Sequence, residues 1–124
     1  MTPTDFDALV ARALKRIPGR FRKLLDNVVL IVEPEPARPG LLGLYEGRPL
    51  TQRSLSEPYS MPDRITIYQG PHERAANSLD DLERIVADTV WHEIAHYFGM
   101  DEPQVRKAEL RRESRRHGRT PRRL

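Results

Sequence analysis

The stretch that most constrains this chain is NSLDDLERIVADTVWHEIAHYFG, residues 77–99. It carries the longest helical pattern in the sequence. Ser78 is the expected N-cap, and Asp80, Asp81 and Glu83 place negative charge where the first turns of a helix favour it. Gly99 is the expected stop. On a wheel of about 100° per residue with His92 at zero, His96 falls at about 40° and Glu93 at about 100°. Ala87, Val90, Trp91, Ile94 and Phe98 fill an arc from about 160° to 260°. The spacing therefore predicts a helix that packs its apolar arc on the fold and turns two histidines and a glutamate towards a cleft.

That trio has a definite chemistry. Residues i and i+4 of a helix are neighbours, so His92 and His96 can reach one metal ion at about 2.0–2.1 Å. Glu93 projects from an adjacent angle, where it can act as general base towards a metal-activated water without coordinating the ion. Zinc lowers the pKa of such a water towards about 7. Neutral imidazoles bind best, so affinity should fall in acid. Imidazole and carboxylate ligands also suit iron, nickel and copper, and zinc is preferred on ligand type alone. Histidines that merely filled a core would be expected inside the apolar arc, and these two lie outside it.

The rest of the chain reads as a frame for this helix. In TPTDFDALVARALKRI, Thr4 is a candidate N-cap, and Phe6, Leu9, Val10, Ala13, Leu14 and Ile17 form one apolar stripe. Pro18-Gly19 ends it, and RFRKLLDN suggests a further short helical piece. Val28 to Val32 is a continuous apolar run, which predicts a strand covered on both faces. Leu41 to Tyr45 is a second strand. DRITIYQG is a third, with Ile65 and Ile67 on one face and Arg64, Thr66 and Tyr68 on the other. Residues 47–63 have no period and read as a long loop. A last helix is expected from Pro103 onwards, with residues after Gly118 frayed.

Length and composition set the limits. A chain of 124 residues suggests one domain, residues 1–117, with 118–124 as a basic tail. There is no cysteine, which excludes disulfides, thiol nucleophiles and thiolate metal sites. The start of the chain has no apolar segment of a signal peptide, and no run approaches the roughly 20 apolar residues of a membrane span. A cytoplasmic protein with no membrane partner is the expectation. Residues 106–124 hold nine Lys or Arg and two acids, so the basicity of a chain of net charge +3 sits in its tail. That tail can contact phosphates, but a solubilising helix end is the simpler reading, and nucleic acid is an unlikely partner outside it.

HEIAHYFGMDE, residues 92–102, resembles the extended zincin motif HExxHxxGxx(H/D). The layout of helix, three strands, motif helix and terminal helix is similar to the minimal zincins, a family of small bacterial zinc metallopeptidases. The likeness spans about residues 20–115. It implies an α+β fold: a small zincin-like domain whose sheet of about three strands packs against the HExxH helix, with N-terminal and C-terminal helices. It implies zinc on His92 and His96, with Glu93 as the catalytic base. A following acid is the implied third ligand. The family position holds Glu102, with Asp101 as the alternative; Glu109 and Glu113 stay open, since thermolysin-like zincins take a glutamate from a later helix. No methionine follows Met100, so a metzincin Met-turn is not expected. A peptide deformylase would need a cysteine ligand. Zincin-type enzymes hold an extended substrate along an edge strand, and RITIYQ or LLGLY can serve.

Other residues are weighed against plainer roles. Asp88 stands one turn before His92 and can orient an imidazole, although such acids are more often solvated. Tyr45, Tyr59, Tyr68 and Tyr97 are possible donors to an oxyanion but more commonly core or rim aromatics. His72, in GPHER, reads as a solvated loop histidine, and His117 has no evident partner. Ser54, Ser56 and Ser60 lack the context of a serine nucleophile. The leading function is a zinc-dependent metallopeptidase acting on peptide or protein. The alternative is a non-catalytic zincin scaffold that binds peptide, protein or nucleic acid.

Overall fold

A computed structural model describes residues 2–47 and 62–99. These residues form four helices and three strands, in the order α1 (Pro3–Lys15), α2 (Gly19–Arg22), β1 (Val28–Glu33), β2 (Gly43–Glu46), β3 (Asp63–Tyr68), α3 (Gln69–Ala75) and α4 (Leu79–Tyr97). The fold is α+β, as the sequence suggests. The expected helix beyond Pro103 and the segment 106–124 lie outside the described residues.

Helix α1 starts two residues earlier than its sequence suggests. Thr2, not Thr4, is the N-cap, and its hydroxyl accepts the Asp5 N–H at 3.1 Å. Pro3 explains the shift: its ring presets a helical φ and it has no N–H to satisfy, so it suits the first helical position. The apolar stripe is as read. Phe6, Leu9, Val10, Ala13 and Ile17 are buried, with Leu14 packed at their edge. They join Leu82, Val86, Ala87, Val90, Trp91 and Ile94 of α4 in one core with Ile65 and Ile67. Arg12 and Arg16 both reach Glu83 of α4, at 3.3 and 3.2 Å.

The sheet order is β1-β3-β2, with β1 parallel and β2 antiparallel to β3. This order corrects the expectation for β1. The apolar run of β1 is not covered on both faces: it is an edge among the described strands, and Val29 is 43% exposed. The central strand is β3, where Thr66 and Tyr68 are buried as well as Ile65 and Ile67. Position in the sheet, rather than apolar content, decides which strand is enclosed. The second strand begins at Gly43 instead of Leu41.

Both ends of α4 are held by hydrogen bonds. At its start Ser78 accepts the Asp81 N–H at 3.0 Å, an N-cap of the kind worth about 1 kcal/mol. At its end the buried Tyr97 hydroxyl accepts the Asp26 N–H and donates to the Asp26 carbonyl, each at 3.1 Å. Gly99 closes the helix with φ +84°, a left-handed conformation that favours glycine. The short helix α3 was not legible as one. Strand β3 runs straight into it, and Pro71 is tolerated because it falls in the first turn. The Arg74 guanidinium meets both Glu35 oxygens, at 2.9 and 2.8 Å, tying α3 to the end of β1. No helix among the described residues is long and apolar enough to cross a membrane.

Candidate metal centre

The last two turns of α4 bring His92 and His96 together. Their Nε2 atoms are 3.1 Å apart, with ring centroids 4.8 Å apart and planes inclined at 70°. Two nitrogens each about 2.0–2.1 Å from one tetrahedral ion stand roughly 3.3–3.4 Å apart, so a small ring rotation would fit the pair to zinc. The donor set fits too, since imidazole nitrogen is a common zinc ligand. The same distance serves an N–H···N hydrogen bond from one ring to the other. Both rings are half-buried and Glu93 between them in sequence is 6% exposed.

A groove of about 460 Å³ runs beside this turn. Residues 40–43, leading into β2, form one wall. The other is α4, from Arg84 and Ile85 through Asp88 and Thr89 to His92 and Glu93. Helix α4 is buried over more than its apolar arc. Besides the expected arc, Thr89, Glu93, Ala95 and Tyr97 are also buried. Helix α4 is enclosed on most sides because the segment 40–43 and β2 lie across the face that the sequence assigns to a cleft. Glu93 points into the narrow space between the two elements, and the histidines keep partial access.

Edge position narrows the choice of substrate strand. RITIYQ is β3, paired on both sides, so it is not an edge strand and that expectation is withdrawn. LLGLY contains β2, which is an edge among the described strands and borders the groove.

Among the described residues, His72 and three tyrosines of the lesser candidates take structural roles. His72 is not solvated: it is wholly buried in α3. Its Nδ1 donates to the Tyr68 carbonyl at 2.6 Å, because a carbonyl can only accept. Its Nε2 lies 2.8 Å from Thr89 Oγ1, and that oxygen lies 3.0 Å from the Ile85 carbonyl. The threonine has one proton for the two. Burial lowers the His72 pKa, against a smaller raising effect of the Tyr68 hydrogen bond, so the ring is neutral and takes the threonine proton at Nε2. Nothing in GPHER signals this, because the partner lies on another helix. Tyr45 donates to the Asp63 carboxylate and Tyr97 to backbone, while Tyr68 is buried in β3. Asp88 lines the groove and its carboxylate is 3.5 Å from Arg84.

Among the described residues no group of three or more His, Asp or Glu gathers as a metal site. The expected third ligand Glu102, its alternative Asp101, and the further acids Glu109 and Glu113 lie outside the described residues. So do Ser54, Ser56, Tyr59, Ser60 and His117.

A family model for zincin-like metallopeptidases matches residues 25–112. That span takes in all three strands, α3, α4 and the acids at 101 and 102. The chain is also similar to a conserved hypothetical protein from Thermus thermophilus, at 29% identity and a TM-score of 0.52, over 79% of this chain and 94% of that one. No curated protein matches it.

Proposed function

The chain belongs to the zincin-like metallopeptidase family, and from that premise we propose that it is a zinc-dependent peptidase with its centre on the last two turns of α4. His92 and His96 hold the ion, and Glu102, or alternatively Asp101, completes the protein ligands. Glu93 is the general base. The observation that carries this reading is the 3.1 Å separation of the two Nε2 atoms, with Glu93 on the same turn at the wall of a groove.

Bound at this pair, zinc would supply a Lewis acid that makes water acidic and stabilises negative charge on a carbonyl oxygen. The chain's own residues do the rest. The Glu93 carboxylate takes the proton of the attacking water and returns it to the leaving amine. Its burial between α4 and the segment entering β2 keeps it close to one position, which favours reaction over reorganisation. The edge of β2 offers backbone groups to an extended peptide, which would add to the sheet as a further strand beside the groove. Leu41, Leu42 and Ile85 along the groove favour an apolar substrate side chain there.

The test is metal content of protein purified without added metal, for wild type, His96→Ala and Glu93→Gln, paired with hydrolysis of a fluorogenic casein. Wild type and Glu93→Gln should carry zinc and His96→Ala should not; only wild type should cleave. Metal near zero in all three would sink the zinc reading. Zinc without any difference between wild type and Glu93→Gln would leave a binding scaffold instead of a peptidase.

A further inference from the structure

Gly43 opens β2 directly opposite Glu93. Its backbone is not in the left-handed region, so its conformation does not call for glycine. Space does. A Cβ at this position would lie 2.8 Å from Thr89 Cγ2 and 3.1 Å from both Cγ and Oε2 of Glu93. Non-bonded carbon atoms prefer about 3.5–4.0 Å. Glu93 is 6% exposed, so it has little room to swing aside.

We propose that Gly43 is a positioning residue for Glu93: its missing side chain is the slot in which the carboxylate lies at the wall of the groove that His92 shares. This rests on the base role proposed for Glu93. The added carbon would meet a carboxylate oxygen and not only the aliphatic stem, so it would displace the reacting atom itself. Its contact with Thr89 is of another kind. There the nearest atom is the methyl carbon, while the hydroxyl is engaged with His72. The two contacts can therefore be separated: Thr89→Ser removes the methyl and keeps the hydroxyl.

Gly43→Ala, Gly43→Ala with Thr89→Ser, and Glu93→Gln are compared with wild type by thermal midpoint without metal and by the visible spectrum after loading with cobalt(II) at one fixed pH. The single alanine variant should melt lower. The double variant should recover most of that loss and bind as much cobalt as wild type, yet its visible bands should move in the sense that Glu93→Gln moves them. A double variant with wild-type bands would make Gly43 a packing glycine and overturn the proposal. If Glu93→Gln itself leaves the bands unmoved, or wild type takes up no cobalt, the proposed function fails first and this inference with it. Should the double variant not fold, Gly43→Ala is placed in a Thr89→Ser, Glu93→Asp background, where the shorter acid relieves both contacts. Folding of that triple variant supports the slot; a triple variant as unstable as Gly43→Ala refutes it.

Discussion

His72 Nε2 and Thr89 Oγ1 meet at 2.8 Å in the interior, joining α3 to the helix that carries the motif histidines. The ring is fully enclosed, so its protonation state and the helix contact are linked. The folded protein lowers the His72 pKa below its ordinary 6.5 because burial disfavours the imidazolium.

Stability should therefore depend on pH through this residue. The unfolded chain protonates His72 near pH 6.5, while the folded chain resists until lower pH. The unfolded state binds more protons in that window, so stability is full above about 6.5 and falls as pH drops through it towards the folded pKa. Melting temperatures from pH 8 to 5 should show this slope, and His72→Gln should flatten it. An NMR titration placing the ring's pKa at or above 6.5 would contradict the expectation.

Thr89→Val keeps the branched shape and removes the hydroxyl. It leaves His72 Nε2 buried without its donor, at a cost of about 1–3 kcal/mol. Urea unfolding should show that loss, whereas Thr89→Ser should cost clearly less. Equal midpoints for the valine variant and wild type would mean that the hydrogen bond carries no net stability.

Zinc should raise the melting temperature of the wild-type chain. A ligand present at about 100 times its Kd stabilises the state that binds it by roughly 2.7 kcal/mol. His92→Ala and His96→Ala should each lose the response. A zinc-induced shift that survives both substitutions would place the metal elsewhere.

Gly99 turns the chain at φ +84° immediately after the histidine turn. Gly99→Ala forces a Cβ into that conformation at about 1–2 kcal/mol. If the turn also aims the acids at 101 and 102, the variant should bind zinc more weakly than its loss of stability explains. Calorimetric titration with zinc checks this; unchanged affinity would confine Gly99 to a helix stop.

Much of the architecture was legible because it depends on local pattern. The α1 stripe, the Ser78 cap, the Gly99 stop and the i, i+4 histidine pair all follow from helical periodicity and end chemistry. What failed were judgements about neighbours. Val28 to Val32 reads as an enclosed strand and is an edge among the described strands. His72 reads as a loop residue and is buried. The lone glycine in LLGLY is the kind of signal that marks a close backbone approach, but what approaches it cannot be read from adjacent residues.

By itself the sequence determined that an imidazole pair and a carboxylate would sit on one capped helix, since spacing of 3.6 residues per turn places them there wherever the helix lies. Only the tertiary structure decided that β2 would cross that helix, that Gly43 would face Glu93 and that His72 would lock onto Thr89. These contacts join residues 17 to 50 positions apart in the chain. Packing chooses such pairs by shape and by burial of polar groups, which no local periodicity encodes.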